Sequence, residues 1–340
     1  MKSIDVCIKH LTHTPATWLI TGVGGFIGSH LLECLLGQNQ KVIGLDNFVT
    51  GSRANLESVK ASVLPSQWQR FALMEGTIVD PDTCLAACSG VDFVLHQAAL
   101  ASIPRSFAQP RATAETNILG TLNIIEAAAA QKVTRLVIAS SSSVYGDIDD
   151  AVKRENRLGT LISPYAISKR VNEQMAGVLA PHLGLSIVAL RYFNVFGPRQ
   201  SPDGPYAAVI PKWLDLMRQN KQIQIYGTGG TSRDFCYVSN VVEANILAAC
   251  TDTGGNFSVF NVARGESTSL TELFNAAKQI LHEQYDHDYT AAPAHLDFRF
   301  GDIYRSEACI DAIRASLGYE GPISLFDGLA RTISWSFTTC

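Results

Sequence analysis

Short continuous runs of apolar residues in the first half of the chain alternate with helical patterns. The runs cover residues 18–20, 42–45, 93–95 and 136–139. Continuous apolar runs are typical of parallel strands that are buried on both faces of a sheet. Strands that alternate with helices predict a sheet with helices on both sides. The pattern therefore indicates an α/β protein with a doubly wound parallel sheet.

Two helical patterns stand out between these strands. The apolar positions of the first are Ile27, Leu31, Leu32, Leu35 and Leu36. They recur at helical spacing, and Gly37 is expected to end this helix. A longer helix is expected over residues 112–131.

The second half of the chain has more turn signals, and its elements are shorter. Glycine and proline clusters lie at residues 197–198, 202–205 and 227–230. A helix over residues 241–249 and a strand over 259–262 are expected to return to the sheet. We therefore predict a dinucleotide-binding domain of residues 1–190 plus about 235–264. Residues 191–234 plus 265–340 would form a smaller C-terminal α/β lobe that binds the substrate.

Composition and charge exclude several classes of protein. The 340 residues include 27 Lys and Arg against 31 Asp and Glu, so the net charge is 27 − 31 = −4. This balance argues against nucleic-acid binding, which depends on neutralising phosphates. We see no apolar run of the ~20 residues that a membrane helix needs, and residues 1–16 lack the pattern of a signal peptide. The eight scattered cysteines indicate reduced thiols and a cytoplasmic protein. The histidines of residues 282–295 are expected in a solvated loop, and no metal site is predicted.

A glycine array directly follows the first strand. Gly22, Gly25 and Gly28 lie between that strand and the first helix. Such glycines let the backbone approach a pyrophosphate, and the helix N-terminus faces the phosphates. Asp46 ends the next strand, 24 residues after Gly22. A carboxylate there binds a ribose hydroxyl and repels a 2′-phosphate, so the pattern predicts a Rossmann-like fold and favours NAD over NADP.

A tyrosine and a lysine share one face of a later helix. Ser163 and Pro164 are typical of a helix start, and Tyr165 and Lys169 follow four residues apart. A neighbouring ammonium and an oxidised nicotinamide would lower the pKa of the tyrosine, which could then accept a hydroxyl proton. The serine run of residues 140–143 ends a strand, where an open parallel sheet binds ligands. These hydroxyls and Tyr165 are therefore expected to meet the same substrate.

Taken together, these motifs resemble the extended short-chain dehydrogenases/reductases, and more closely the nucleotide-sugar 4-epimerases. The resemblance covers about residues 17–336. Its motifs lie at residues 21–28, 45–48, 96–99, 141–146, 165–169, 191–198 and 232–235. Residues 96–106 and 206–213 are most similar to the UDP-N-acetylglucosamine 4-epimerases. The family usually has an aspartate that contacts adenine where this chain has Thr77.

The resemblance implies a role for each matching residue. Tyr165 would be the base, Lys169 would hold the nicotinamide ribose, and Ser141 would bond the reacting hydroxyl. The implied substrate residues are Ser102, Ser142, Ser143, Asn194, Ala208, Val209, Tyr226, Arg233, Arg299, Asp302 and Ser306. Among them, Arg233 and Arg299 would clamp the diphosphate and Asp302 would bind the uridine ribose. The implied NAD residues are Gly22, Gly25, Phe26, Ile27, Gly28, Asp46, Asn47, Gly51, Thr77, Ile78, Gln97, Ala98, Ala99, Asn117, Tyr165, Lys169, Tyr192 and Val195.

Three positions narrow the implied reaction. Dehydratases and decarboxylases of this family carry acids where this chain has Ser142 and Ser143. Oxidation and re-reduction at one carbon is then the simpler chemistry. Ser306 stands where a bulky tyrosine would limit the pocket to plain hexoses, and a serine leaves room for an N-acetyl group. The prediction is a 4-epimerase of UDP-N-acetylglucosamine and UDP-N-acetylgalactosamine, which would supply precursors for surface polysaccharide.

Several alternatives stay open at this point. UDP-glucose and UDP-galactose are possible additional substrates, and the corresponding UDP-N-acetylhexosaminuronic acids are rival ones. A non-catalytic NAD-binding scaffold is an alternative from another class of protein. The resemblance also implies a homodimer, formed by a bundle of helices at about 112–131 and 164–181.

Overall fold

The computed structural model describes Ile4, Cys7, Leu11 and residues 13–203, 207–297 and 304–338. The strands are β1 (Thr17–Thr21), β2 (Lys41–Asp46), β3 (Phe71–Glu75), β4 (Phe93–His96), β5 (Arg135–Ser141), β6 (Val152–Lys153), β7 (Ser186–Tyr192), β8 (Val195–Phe196), β9 (Gln224–Tyr226), β10 (Ser232–Arg233), β11 (Cys236–Tyr237), β12 (Phe257–Val262), β13 (Thr268–Ser269), β14 (Ala294–Leu296) and β15 (Arg305–Ala308).

Helices connect most of these strands. They are α1 (Phe26–Gly37), α2 (Arg53–Ser62), α3 (Pro65–Trp68), α4 (Pro81–Ala87), α5 (Ile103–Ala108), α6 (Pro110–Ala114), α7 (Gly120–Ala130), α8 (Pro164–Leu183), α9 (Val209–Arg218), α10 (Val238–Cys250), α11 (Leu270–Tyr285), α12 (Asp311–Leu317) and α13 (Leu325–Thr338). None of these helices is long and apolar enough to cross a bilayer.

Seven parallel strands form the main sheet, in the order β12, β7, β5, β4, β1, β2, β3. Side chains alternate between its two faces. Trp18 and Ile20 pack in the same buried cluster as α1 and α10, whereas Leu19 belongs to the cluster under α4, α7 and α8. Helices cover both faces of the sheet, so the predicted doubly wound α/β fold is confirmed.

The smaller lobe has its own sheet and core. Its four-stranded sheet has the order β13, β10, β15, β6, and two short strand pairs, β14–β9 and β11–β8, lie beside it. A third buried cluster fills the lobe with residues of α9, α11 and α13, such as Trp213, Ile280 and Ile333. Strand β6 joins this sheet from a segment assigned to the first domain by sequence. The division of the chain into two domains stays a prediction.

The long helix expected over residues 112–131 is interrupted by a π-helical turn. The turn spans Glu115–Leu119 and separates α6 from α7. Asn117 sits in this turn, and its side chain bonds both backbone groups of Leu100 and the hydroxyl of Ser168. Such turns often accompany functional sites. Here the turn aims a buried amide at the loop that follows β4.

The histidine-containing segment also differs from the expected loop. His282 lies within the last turn of α11, where its Nδ1 lies 2.7 Å from the Asp288 carboxylate, and β14 begins at Ala294. No cluster of three potential metal ligands occurs in the described parts of the chain. All seven cysteines that the structure describes are free thiols.

Candidate active site

A cavity of about 460 Å³ lies at the carboxyl ends of the central strands. The glycine array forms one wall. Gly22 has a φ of +71°, and a Cβ added to it would stand 2.9 Å from the backbone of Ala98. A Cβ on Gly28 would stand 2.1 Å from the carbonyl oxygen of Gly22. Only glycines fit this turn, which brings backbone amides and the N-terminus of α1 to the cavity, as a dinucleotide pyrophosphate requires.

Most of the predicted cofactor residues line this cavity. They are Gly22, Gly25, Phe26, Ile27, Gly28, Asp46, Asn47, Gly51, Ile78, Gln97, Ala98, Ala99, Tyr165, Lys169 and Tyr192. Thr77, Asn117 and Val195 are not among its lining residues. The hydroxyl of Thr77 accepts the Val79 N–H at 3.2 Å, and Asn117 acts on the cavity indirectly through the Leu100 loop.

Asp46 is held in place at the end of β2. Its two carboxylate oxygens accept the backbone N–H groups of Gly24 and Phe48, each at 2.8 Å. A Cβ on Gly51 would stand 2.9 Å from both oxygens, so that glycine allows the following loop to close over the carboxylate. The wall therefore presents a fixed negative charge, which suits a free ribose hydroxyl and repels a 2′-phosphate.

The predicted catalytic tyrosine and lysine come from the first turns of α8. Ser163 caps this helix by accepting the Ala166 N–H at 3.1 Å, and Pro164 occupies its first turn. The Lys169 Nζ lies 5.9 Å from the centre of the Tyr165 ring, and both residues line the cavity. Ser141, at the end of β5, is close enough to Tyr165 for its side chain to lower the pKa of the tyrosine. The structure thus brings the three predicted catalytic residues together.

Burial controls the protonation of these groups. It raises the pKa of Tyr165, and the neighbouring Ser141 side chain only partly opposes this shift. Burial also lowers the pKa of Lys169 to about 8, against the opposing field of Glu173. The lowered tyrosine pKa expected from the sequence is therefore not found in the protein alone. A cationic nicotinamide beside the ring would supply the missing positive charge.

Three predicted substrate serines lie close to this constellation. Ser102 caps α5 by accepting the Arg105 N–H at 3.2 Å. Ser142 and Ser143 belong to a 3₁₀ turn over Ser142–Tyr145. The Ser143 hydroxyl is buried and has no hydrogen-bond partner among the residues that the structure describes. Because buried hydroxyls are nearly always bonded, this group is ready to meet a polar ligand.

A second cavity, of about 440 Å³, lies in the smaller lobe. Four of the predicted substrate residues line it: Asn194, Val209, Tyr226 and Arg233. Ala208 stands next to it as the N-cap of α9. Lys212 joins Arg233 in this cavity. Two cations in one cavity suit a diphosphate, and Lys212 is not among the residues predicted from the sequence.

Ser306 lies beside Arg233, although it lines neither cavity. The two residues are partners on the parallel strands β10 and β15. The backbone N–H of Asp234 donates to the carbonyl of Ser306 at 2.9 Å. The Ser306 side chain is buried. Arg299 and Asp302, the other predicted residues of this region, lie outside the described residues.

Sequence reasoning missed several residues of the first cavity. Among these are Arg105, Gln109 and Thr116, which follow the Leu100 loop. Arg105 is a second cation in the cavity that holds Lys169. Arg105 lies within residues 96–106, which resemble one branch of the family, and this was the available signal for it. The sequence of a short helix does not reveal which way a single arginine side chain points.

The fold and the two cavities define an NAD-using enzyme of the doubly wound α/β class. The chain belongs to the NAD dependent epimerase/dehydratase family, whose model matches residues 18–263. A putative UDP-glucose 4-epimerase of Methanocaldococcus jannaschii is 33% identical over 323 residues, which are 93% of this chain and 97% of that protein.

Solved structures agree with this assignment. The UDP-N-acetylglucosamine 4-epimerase of Methanobrevibacter ruminantium, in complex with UDP-N-acetylmuramic acid, has a TM-score of 0.84 at 33% identity, covering 96% of this chain and 99% of its own. The UDP-glucuronic acid 4-epimerase of Bacillus cereus, in complex with NAD and UDP-4-deoxy-4-fluoro-glucuronic acid, has a TM-score of 0.83 at 27% identity, covering 95% and 100%.

Proposed function

We propose that the protein is a UDP-sugar 4-epimerase that interconverts UDP-N-acetylglucosamine and UDP-N-acetylgalactosamine. The observation that carries the proposal is the placement of Tyr165 and Lys169 in the glycine-lined cavity, with Ser141 next to the tyrosine. The next two positions are Ser142 and Ser143. Neither is an acid that could eliminate water, so reversible oxidation of one carbinol is the chemistry that these side chains support.

Each residue has a separate role in the proposed reaction. NAD, held by the residues of the glycine-lined cavity, would supply an acceptor for the hydride of carbon 4 and a donor for its return to the opposite face. Tyr165 removes the proton of the 4-hydroxyl while the carbonyl forms, and gives a proton back when the carbonyl is reduced. Ser141 holds the oxygen at carbon 4, and the Lys169 ammonium favours the tyrosinate. Arg233 and Lys212 retain the diphosphate while the 4-keto sugar turns over.

The N-acetyl group is the finer part of the proposal, and Ser306 supports it. A serine on β15, next to the diphosphate-binding strand β10, leaves more volume for a 2-substituent than a tyrosine would. The similarity to the UDP-N-acetylglucosamine 4-epimerase of Methanobrevibacter also supports an N-acetylated substrate.

Uronate forms of these sugars are the second candidate, and Arg105 favours them. This cation lines the same cavity as Tyr165, and its helix α5 packs on α8. A guanidinium suits a sugar carboxylate. Under this alternative, Arg105→Gln would weaken turnover of the uronate much more than turnover of the neutral sugar.

The arrangement of the predicted catalytic residues argues against a non-catalytic scaffold. A scaffold has no need for Ser141, Tyr165 and Lys169, yet Tyr165 and Lys169 line one cavity and Ser141 lies next to Tyr165.

We propose that the enzyme is a cytoplasmic homodimer that pairs α8 with the helices around the π turn. Ile167 is 45% exposed, Val178 is 72% exposed and Leu119 is 50% exposed, so this surface offers apolar area to a second copy.

Proton NMR of the protein with UDP-N-acetylglucosamine tests the proposal directly. The anomeric and carbon-4 proton signals should convert to those of the galacto epimer, with NAD supplied and no other reductant. Conversion of the uronate alone would favour the second candidate. Inertness towards every UDP-sugar would overturn the 4-epimerase assignment.

A further inference from the structure

Two separate elements carry the catalytic residues, and one buried carboxylate joins them. Ser141 ends β5, whereas Tyr165 and Lys169 belong to α8. Glu173, one turn after Lys169, accepts the Ser140 hydroxyl at 2.6 Å through its Oε1. Ser140 itself lines the dinucleotide cavity. The Glu173 carboxylate therefore contacts the residue that immediately precedes the catalytic serine.

A third element completes the arrangement. Arg191 on β7 donates to Oε1 and Oε2 of Glu173, each at 2.8 Å. Arg191 is also the partner of Ser140 in the strand register. The Glu173 and Arg191 side chains are only 1% and 2% exposed. A bidentate pair of this kind fixes distance and direction, so α8 is held at one position relative to β5 and β7.

The same carboxylate acts on the lysine. Among the described groups, Lys169 faces Tyr165 and Glu173 on its own helix and His96 on β4. His96 is neutral because burial lowers its pKa to about 3. Glu173 is thus the negative charge that opposes deprotonation of the buried ammonium, and Arg170 and Arg191 keep it ionised.

We propose that Glu173 is a positioning residue for Ser141, Tyr165 and Lys169: it fixes the helix against the strand and keeps Lys169 in its charged form. This inference rests on the proposed epimerase function. A purely structural pair would leave the pH dependence of catalysis unchanged, whereas removal of this charge moves it.

The test is the pH profile of kcat and of NAD affinity in Glu173→Gln. The alkaline limb of both should move down by about one pH unit, since a neighbouring charge shifts a pKa by that order. At pH 9, above the pKa of Lys169 in both proteins, we expect kcat to fall roughly tenfold, which is the loss that a one-unit shift produces, while KM for the UDP-sugar changes little.

Tyr145→Phe is the matched control. The Tyr145 hydroxyl accepts from Arg191 at 3.0 Å and donates to Asn261 at 2.6 Å. Its removal disturbs the network at Arg191 while Glu173 keeps its charge, so both pH profiles should match the wild type. Equal shifts in Tyr145→Phe and Glu173→Gln would overturn the proposal.

A second variant covers loss of folding in Glu173→Gln, which leaves the buried Arg191 without its counter-ion. The double variant Glu173→Leu, Arg191→Met replaces the pair by apolar side chains, a change that buried pairs often tolerate. Because this variant also removes the Arg191 cation, its alkaline shift should have the same direction and be smaller than that of Glu173→Gln. A wild-type pH profile in either folded variant contradicts the inference. Failure of the wild-type enzyme to epimerise any UDP-sugar contradicts the proposed function instead, and the NAD-affinity profile then still tests Glu173.

Discussion

Arg233 and Ser306 are partners on adjacent parallel strands, so the cation of the second cavity stands beside the residue that we assign to sugar selection. Strand pairing fixes their separation regardless of the loop between them. Under the proposed function, the residue that selects the 2-substituent would lie directly beside the arginine that holds the diphosphate.

A larger side chain at position 306 should change substrate preference. In Ser306→Tyr, kcat/KM for UDP-N-acetylglucosamine should fall about 10- to 200-fold, the range over which a pocket of altered size discriminates. UDP-glucose should lose much less, because it lacks the N-acetyl group. Ser306→Ala is the control and should leave the ratio of the two substrates unchanged. Equal losses of kcat/KM for the two substrates in Ser306→Tyr would show that the size of the pocket at position 306 does not determine the preference.

The Tyr165 hydroxyl should be needed for turnover and not for binding. Tyr165→Phe should lower kcat by about 10²- to 10⁴-fold, the usual contribution of a general acid–base group. Because the residues proposed to hold the diphosphate line the other cavity, the Kd for the UDP-sugar, measured by calorimetry, should stay near the wild-type value. Full activity in this variant would exclude Tyr165 as the base.

Asp46 should determine the choice of cofactor. Asp46→Ala removes the acceptor of the Gly24 and Phe48 N–H groups as well as the charge at the cavity wall. NAD affinity should fall about tenfold or more, since the variant loses the carboxylate that would accept the ribose hydroxyl and a hydrogen bond to a charged group contributes about 1.5–3 kcal/mol, and the preference for NAD over NADP should narrow. Asp92→Ala is a suitable control, because its carboxylate bonds the Thr17 N–H at the opposite end of the sheet. A cofactor ratio that stays the same in Asp46→Ala would refute this role.

Acid should destabilise the fold through buried neutral histidines. Burial lowers the pKa of His96 to about 3 and that of His30 to about 4. As pH falls below 6.5, the unfolded chain binds protons at these positions and the folded chain does not, so stability decreases. Between pH 6.5 and 5, His96 should account for a loss of roughly 2 kcal/mol. In His96→Asn, the free energy of unfolding measured with urea should fall less between pH 6.5 and 5 than it does in the wild type. An identical loss in the variant would assign the acid sensitivity to other groups.

The exposed apolar face of α8 should carry the dimer. Ile167 and Val178 lie on one side of the helix, three turns apart, and the double variant Ile167→Glu, Val178→Glu places charges on that surface. Light scattering should report a dimer for the wild type and a monomer for this variant. Leu64→Glu, at a 63% exposed residue just before α3, should leave the dimer intact. A monomeric wild type would contradict the proposed assembly.

The sequence by itself determined the parts of this protein that depend on neighbouring residues. Continuous apolar runs predicted the buried parallel strands, and the glycine spacing predicted the turn at Gly22 and Gly28, since close backbone approach admits no Cβ. Ser163, Tyr165 and Lys169 followed from capping and from the four-residue spacing of one helix face. These features are local, so the pattern of residue types suffices to reveal them.

The tertiary structure decided every relationship between distant segments. Three contacts join separate elements of the fold. They are the contact of Tyr165 with Ser141, the pairing of Arg233 with Ser306, and the contact of Glu173 with Ser140 and Arg191. The burial that raises the pKa of Tyr165 is likewise a property of the assembled core. The sequence did not predict the roles of Lys212 and Arg105 or the π turn at Asn117, because local pattern does not reveal which side chains will face a cavity. Only packing of the helices on the sheet sets those directions.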